Sequence, residues 1–357
     1  MPALRQSLPE ITDYPTHLET CWREHLAERK VDAPTVISTF AGAGGSSLGY
    51  SMAGFRELLA VEWDDNAVTT FKLNFPDVPV YHGDIAKLSI DKVFEMTGLK
   101  SGELDVFDGS PPCQGFSTAG KRMIDDPRNQ LFREYVRLLR GLRPKVFVME
   151  NVSGMVKGKM KLLFVEILKE LKASGYRVSA RLLNAMYFGV PQSRERMIFI
   201  GVREDLGIEP SHPRACFAPS TVRMALHDAD ESDAREIPDW LKEACKIIPL
   251  YCWDGPKMME IFKQVKGTSG GALSTKLLFW NKHSCTLLKN EIANSVIVHP
   301  SGERALSSNE LSRLASFPDS FNMIDRKNAV MRIGNSVPPL FMRAIATHIR
   351  QHILHRS

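Results

Sequence analysis

The sequence predicts an α/β protein with a mostly parallel sheet, helices on both faces of that sheet, and a second, smaller domain. Short apolar runs alternate with helical stretches between residues 34 and 203, which is typical of a sheet covered on both faces. After residue 203 this alternation stops, and prolines, glycines and four of the six cysteines are scattered up to about residue 290. With 357 residues, 43% hydrophobic and 24% charged, the chain has the composition of about two globular domains, which excludes a disordered or collagen-like protein.

The strands of the sheet are predicted by seven short runs that are rich in apolar and β-branched residues. They are Thr35–Phe40, Glu57–Glu62, Val78–His82, Leu104–Asp108, Lys145–Glu150, Tyr176–Ala185 and Met197–Val202. Helical spacing of apolar residues predicts helices at His17–Arg29 and Ser46–Met52, around residues 131–139 and 163–171, and at Leu311–Phe317 and Leu340–Ile353. We expect an N-terminal extension (1–33), a large α/β domain (34–203), a smaller domain (204–299) and a return segment (300–357) that completes the large domain.

Charge and cysteine usage limit the partners and the compartment. The net charge of +5 fits a nucleic-acid partner without requiring one. Acidic residues cluster between 228 and 239 and lysines between 257 and 289, which indicates either two solvated faces or one half that faces a polyanion. No apolar run reaches the roughly 18 residues of a membrane span, and the cysteines form no CxxC pair. We therefore expect a cytoplasmic monomer with free thiols and no bound metal.

Three successive strand ends indicate a site for a nucleoside-bearing cofactor. A glycine-rich segment, FAGAGG at residues 40–45, follows the first strand, and its backbone N–H groups could approach a ligand closely. Glu62 ends the second strand, where it could accept hydrogen bonds from a ribose, with Trp63 placed to stack on a base. Asp84 follows the third strand and could bind an exocyclic amine. A plain tight turn is the alternative for the glycines, and their spacing does not match the GxGxxG of NAD or FAD sites.

The segment GSPPCQGFS, residues 109–117, indicates a nucleophilic cysteine. Two prolines restrict the backbone immediately before Cys113, and a polar, glycine-containing loop follows it. A presented thiolate is a strong nucleophile, whereas most lone cysteines are buried and inert. The polar loop that continues to Arg128 could act as a lid over a substrate, or it could be an ordinary surface loop.

Two further segments carry charge at strand ends. Glu150 ends an apolar strand, where a half-desolvated carboxyl could hold or share a proton, although a structural salt bridge is the alternative. Arg194 and Arg196 are expected on one face of the next strand, where they could hold a phosphate, a base carbonyl or a carboxylate. On their own, these arginines would be interpreted as structural.

The ordered set FAGAGG, VEWD, GDI, GSPPCQGFS, MENV, QSRER, RALSxxExxRLxxFP (304–318) and GNSVPP (334–339) resembles the C5-cytosine DNA methyltransferases of prokaryotic restriction–modification systems. The resemblance covers about residues 34 to 350. It implies a Rossmann-like S-adenosylmethionine-dependent methyltransferase sheet, with residues 204–299 as the target-recognition domain. The cofactor would be S-adenosylmethionine, its product S-adenosylhomocysteine, and the substrate double-stranded DNA, in a cleft between the two domains. A restriction endonuclease could share the target site without contacting this chain.

The resemblance also implies roles for individual residues. The methionine part of the cofactor would contact Phe40, Gly42, Gly44 and Gly45, the ribose Glu62, and the adenine Trp63, Asp84 and Ile85. The pocket would be completed by Pro112, Leu131, Asn335 and Val337. DNA-contacting residues of the loop would be Gln114, Ser117, Lys121, Arg122 and Arg128.

The reaction that the resemblance implies begins with addition of the Cys113 thiolate to C6 of cytosine, which makes C5 nucleophilic. Glu150 would hold N3 and the 4-amino group, Arg196 the base carbonyl, and Arg194 would support Arg196 or a phosphate. The cytosine would have to leave the duplex stack.

These residues favour three alternative functions less. A tRNA methyltransferase of the same family would carry Cys-Phe-Thr in the recognition region, which this sequence lacks. Exocyclic amino-methyltransferases need an aromatic residue after the two prolines, at the position of Cys113. A non-catalytic regulator would not be expected to retain Cys113, Glu150 and Arg196 together.

Overall fold

The computed structural model describes residues 8–112, 130–156, 160–248, 255–267, 275–287, 289 and 296–355. The chain divides into two compact units. Unit 1 comprises Met1–Trp22, Ala185–Arg194 and Ala215–Leu340, and unit 2 comprises Arg23–Asn184, Glu195–Arg214 and Phe341–Ser357.

These units group the C-terminal segment differently from the sequence prediction. Residues 300–340 belong to the same unit as residues 215–299, and only the segment from Phe341 onward belongs to the unit that contains the sheet. The functional assignment of the domains remains a prediction, because a contact-based division does not say what each unit binds.

Unit 2 is built on a seven-stranded sheet in the order β3-β2-β1-β4-β5-β7-β6. The strands are β1 (Thr35–Thr39), β2 (Arg56–Glu62), β3 (Val80–His82), β4 (Val106–Gly109), β5 (Val146–Val152), β6 (Tyr176–Asn184) and β7 (Glu195–Arg203). The pairs β3–β2, β2–β1, β1–β4 and β4–β5 are parallel, whereas β7 runs antiparallel to both β5 and β6. The seven predicted strands and the mostly parallel sheet are therefore confirmed.

The helices of unit 2 pack on this sheet through apolar residues. They include α2 (Gly45–Met52), α3 (Asp65–Asn74), α4 (Ile90–Thr97), α5 (Gln130–Leu142) and α6 (Met160–Lys172). The spacing that predicted α5 and α6 is confirmed by burial, since Tyr135 and Leu139 of α5 and Leu163 and Ile167 of α6 lie in the core. Within the described part of the chain, no helix is long and apolar enough to cross a membrane.

Gly109, at the end of β4, occupies a position where only a residue without a side chain fits. A Cβ atom at Gly109 would lie 2.7 Å from Cε2 of Tyr135 and would also collide with the hydroxyl of Thr39. That hydroxyl donates a hydrogen bond to the carbonyl oxygen of Asp108 at 3.0 Å, and the Tyr135 hydroxyl donates to the carbonyl of Val148 at 3.1 Å. Gly109 therefore lets α5 pack tightly against β4 and β5.

Unit 1 has a core of its own, to which α8 (Asp239–Ile247) and the short parallel pair β8 (Lys276–Leu277) and β9 (Ile297–Val298) contribute. Its other helices include most of α1 (Tyr14–Leu26), α7 (Val222–Ala225), α9 (Gly255–Lys266), α10 (Ser308–Leu314) and α11 (Arg326–Asn335). The last helix, α12 (Pro339–His352), begins at the end of unit 1 and continues in unit 2.

Helix α10 begins three residues before its predicted start because Ser307 and Glu310 form a reciprocal capping box. The Glu310 carboxylate also accepts two hydrogen bonds from Arg304, at 2.7 and 2.9 Å. The paired charges of RALSxxExxR thus hold the start of this helix in place.

Candidate active site

A pocket of about 720 Å³ lies at the carboxyl ends of the central strands of unit 2. Open α/β sheets bind ligands at this edge. The pocket is lined by Phe40, Val61, Glu62, Trp63, Gly83, Asp84, Ile85, Pro112 and Leu131. Seven of the twelve residues predicted to bind a cofactor are among these lining residues. The structure thus brings together residues that lie up to 91 positions apart in the chain.

The glycine-rich segment makes a left-handed turn between β1 and α2. Phe40, Gly42 and Gly44 have φ angles of 57°, 57° and 98°. Gly44 is the N-cap of α2, and a Cβ atom there would collide with the ring of Phe75. This geometry favours glycine at position 44.

Glu62 is fixed by backbone amides on both sides of its carboxylate. Its Oε1 accepts hydrogen bonds from the N–H groups of Trp63 at 2.8 Å and Asp64 at 2.9 Å, and its Oε2 accepts one from Gly42 at 2.8 Å. The side chain is buried. Because a carboxylate has about four acceptor positions, Oε2 can accept a further hydrogen bond, and the three amides define the direction from which a hydroxyl would donate it.

The opposite wall of the pocket combines an exposed aromatic ring with a short polar turn. Trp63 is 76% exposed, which is unusual for a tryptophan and leaves its ring free to stack on a planar ligand. Asp84 caps the 3₁₀ turn Ile85–Lys87 by accepting a hydrogen bond from the Ala86 N–H at 2.9 Å. Ile85 adds apolar surface to this wall, and Leu131 supplies apolar surface from α5. This wall suits a flat, amine-bearing ring.

The proline pair that precedes Cys113 is held by a residue to which the sequence analysis gave no role. The buried side chain of Asn151 donates a hydrogen bond from Nδ2 to the carbonyl of Pro111 at 3.2 Å. Asn151 directly follows Glu150 in MENV, so its position in that motif was the available signal. Outside the described residues lie Cys113 itself and the predicted loop contacts Gln114, Ser117, Lys121, Arg122 and Arg128.

Glu150 and Arg196 form a largely buried ion pair across neighbouring strands. Nε of Arg196 lies 2.7 Å from Oε1 of Glu150, and both side chains are less than 15% exposed. The residues are diagonal neighbours, because Glu150 pairs with Ile198 in the β5–β7 register and Arg196 with Val152. The salt bridge that was the structural alternative for Glu150 is therefore present. Such a pair also places one hydrogen-bond acceptor and one donor side by side in a low-dielectric environment.

Arg194 has a different environment from Arg196. Strand β7 begins at Glu195, so the strand alternation that was expected to place both arginines on one face does not extend to Arg194. Its side chain is 2% exposed and donates a hydrogen bond to the carbonyl of Gly334 at 2.9 Å. This contact lies within unit 1 and supports the end of α11. Asn335 and Val337 are also in unit 1, and their predicted contact with a cofactor remains a prediction.

Two acids on strands β2 and β4 have raised pKa values, and the sequence analysis did not identify them. Burial raises the pKa of Asp108 to about 8 and that of Glu57 to about 7. The Tyr50 hydroxyl donates to Asp108 at 3.2 Å, and the Ser47 hydroxyl donates to Glu57 at 2.9 Å. These hydrogen bonds offset part of the desolvation cost.

Comparison with known proteins shows the family of this chain. A family model for C-5 cytosine-specific DNA methylases matches residues 34–351. The chain is 35% identical over 326 residues to the Type II methyltransferase M1.HphI of Haemophilus parahaemolyticus (87% of this chain, 85% of that protein). It is 32% identical over 363 residues to M.XorII of Xanthomonas oryzae pv. oryzae (88% and 84%).

The fold gives the same result. A crystal structure of a prophage-encoded E. coli protein, described as a DNA modification methyltransferase, matches with a TM-score of 0.69 at 26% identity. The match covers 90% of this chain and 100% of that chain, which confirms the predicted Rossmann-like methyltransferase fold. The chain therefore belongs to the C-5 cytosine-specific DNA methylase family and is a DNA cytosine-5-methyltransferase.

Proposed function

We propose that this enzyme transfers a methyl group from S-adenosylmethionine to C5 of a flipped-out cytosine in a specific duplex sequence, through a covalent bond between Cys113 and C6. The pocket of unit 2 carries this proposal, because its walls offer a fixed carboxylate, an exposed aromatic ring and a capped polar turn. These are the groups that a ribose and an adenine require. When bound, S-adenosylmethionine supplies the methyl group as a sulfonium.

The residues of the pocket would hold the nucleoside in one orientation. Glu62 would accept a hydrogen bond from a ribose hydroxyl, since its carboxylate is already aligned by three backbone amides. Trp63 would stack on the adenine, and Asp84 would accept from the exocyclic amine. The N–H groups of the turn containing Gly42, Gly44 and Gly45 would border the amino-acid end, with Asn335 and Val337 contributing from the C-terminal motif.

The reacting base would be handled by Cys113, Glu150 and Arg196. The Cys113 thiolate would add to C6, and the electron pair displaced from the C5–C6 bond would make C5 nucleophilic. Glu150 would hold N3 and the 4-amino group, and Arg196 would donate to the base carbonyl, so that the developing negative charge is stabilised. Loss of the C5 proton after methyl transfer would then restore the double bond and release Cys113.

The DNA substrate is supported by the relatives, which are Type II methyltransferases. We propose that this chain has the same role, with the recognition domain reading the target and the loop after Cys113 closing over the extruded cytosine. A cognate endonuclease would need no contact with it, and we expect it to act on DNA in the cytoplasm as a monomer. Bisulfite sequencing of DNA from a methylation-free host that expresses the chain would identify the target sequence.

A Cys113→Ala variant tests the proposed chemistry. We expect no methyl transfer from labelled S-adenosylmethionine to target DNA, because C5 is not nucleophilic without addition at C6. Affinities for S-adenosylhomocysteine and for target duplex should stay close to those of the wild type, since alanine removes only the sulfur. The matched control is Cys216→Ala, which changes a partly exposed cysteine of unit 1 and should methylate normally. Appreciable turnover by the Cys113 variant would refute the role of that thiol.

A further inference from the structure

The side chain of Arg137 ties helix α5 to the turn that follows Asp84 at the edge of the pocket. Its Nη2 donates hydrogen bonds to two backbone carbonyls, that of Ile85 at 3.0 Å and that of Leu88 at 2.9 Å. These carbonyls lie at the beginning and just past the end of the 3₁₀ turn Ile85–Lys87. The guanidinium therefore spans the whole turn from the outside.

The orientation of Arg137 is set by its own helix. Nε of Arg137 is paired with Oε2 of Glu134, one turn earlier, at 2.6 Å. The Glu134 side chain is 17% exposed and that of Arg137 is 37% exposed, so this pair lies at the edge of the buried face of α5. Because the guanidinium is planar and its Nε is fixed, the Nη2 hydrogens point in a defined direction.

The two elements that Arg137 joins form two walls of the same pocket. Asp84 and Ile85 lie at the start of the turn, and Leu131 lies in the first turn of α5. The distance between these walls determines whether a planar ring fits between them. Hydrophobic contact already buries Ile85 and Leu88, but such contact is not directional. The two charge-assisted hydrogen bonds are directional and can hold the turn at one position along the helix.

We propose that Arg137 is a positioning residue for cofactor binding, which holds the adenine side of the pocket in its ligand-ready geometry by clamping the turn Ile85–Lys87 against α5. This inference rests on the proposed use of the pocket for S-adenosylmethionine. Arg137 does not line the pocket and acts through the backbone of the turn. Its loss should weaken nucleoside binding without changing the chemistry of the bound complex.

The test compares Arg137→Ala with a matched control, Arg140→Ala. Arg140 lies on the same helix and is also paired, with Glu170 at 2.6 Å and Ser174 at 3.1 Å, but it does not contact the turn. Calorimetric titration with S-adenosylhomocysteine should give about tenfold weaker binding for Arg137→Ala, which is the loss expected when hydrogen bonds from a partly exposed charged group disappear. Arg140→Ala should bind within twofold of the wild type. Arg137→Lys, which can still donate to one carbonyl, should recover part of the loss.

Kinetics separate positioning from a general structural role. For Arg137→Ala we expect a raised KM for S-adenosylmethionine, an unchanged kcat at saturating cofactor and an unchanged affinity for target duplex. Equal binding of S-adenosylhomocysteine by Arg137→Ala and wild type would overturn the inference. Parallel losses of cofactor and DNA affinity in the Arg137 and Arg140 variants would also overturn it, because they would reflect the stability of the helix. Failure of the wild type itself to bind S-adenosylhomocysteine would instead contradict the proposed function.

Discussion

At the scale of single residues, the site is organised by backbone groups as much as by side chains. Glu62 is aligned by three amide N–H groups, and Asn151 and Arg137 each donate to backbone carbonyls. The roles of Glu62 and Glu150 stay predictions. Their positions, at the end of β2 and within β5, were predictable from recognisable motifs. The contacts of Asn151 and Arg137 were not, because their partners lie 40 to 52 residues away and are carbonyls, which no motif displays.

Replacing Asn151 should reduce the rate more than the binding. In Asn151→Ala the carbonyl of Pro111 loses its side-chain donor, so the segment leading to Cys113 becomes less constrained. We expect kcat for methyl transfer to fall by about tenfold, a typical cost of losing a buried hydrogen bond, while the Kd for S-adenosylhomocysteine changes by less than threefold. Asn151→Leu, which keeps a similar volume but has no donor, should behave in the same way. A variant with wild-type kcat would show that Asn151 does not position the nucleophile.

At the scale of elements, local patterns predicted what depends on local sequence. The strands β1 to β7 were found from their apolar runs, and the buried faces of α5 and α6 from helical spacing. The antiparallel direction of β7 was not predicted, since strand direction depends on how distant segments pair. The start of α10 was missed although the capping pair Ser307 and Glu310 is visible in the sequence. The assignment of residues 300–340 to one unit depends on contacts across the chain, which no local pattern contains.

At the scale of the whole molecule, buried ionisable groups couple the stability of the fold to pH. The folded-state pKa of Asp108 is about 8 and that of Glu57 is about 7, above their ordinary values of 3.8 and 4.5. In the pH range between these values the folded state binds more protons than the unfolded state. The stability contributed by these acids is therefore present below about pH 4 and is lost as pH rises towards 8. Burial lowers the pKa values of His25 and His212 to about 4. The folded state therefore binds fewer protons at these histidines than the unfolded state, and their contribution to stability is lost as pH falls from 6.5 towards 4.

An Asp108→Asn variant isolates the contribution of Asp108. Asparagine stays neutral and can still accept the hydrogen bond from Tyr50, so the variant should lose less stability than the wild type between pH 5 and pH 8.5. In urea unfolding at pH 8.5, the free energy of unfolding should be higher for Asp108→Asn than for the wild type by about 1 kcal/mol or more. This is the free energy that corresponds to a pKa difference of one unit between the folded and unfolded states. The histidine contributions are common to both proteins and cancel in the difference. A variant that is destabilised equally at both pH values would contradict a protonated Asp108.

The central claim, that a transient bond joins Cys113 to an extruded cytosine, is tested most directly by mass spectrometry of a trapped complex. The wild-type enzyme would be incubated with S-adenosylmethionine and a duplex that carries 5-fluorocytosine at the identified target, where fluorine cannot leave as the C5 proton does. The account predicts a stable adduct whose mass equals enzyme plus DNA plus one methyl group, and whose digestion maps the DNA to the peptide containing Cys113. The account would be contradicted if the enzyme methylates the duplex that carries ordinary cytosine but forms no adduct with the 5-fluorocytosine duplex. An adduct at a residue other than Cys113 would also contradict it.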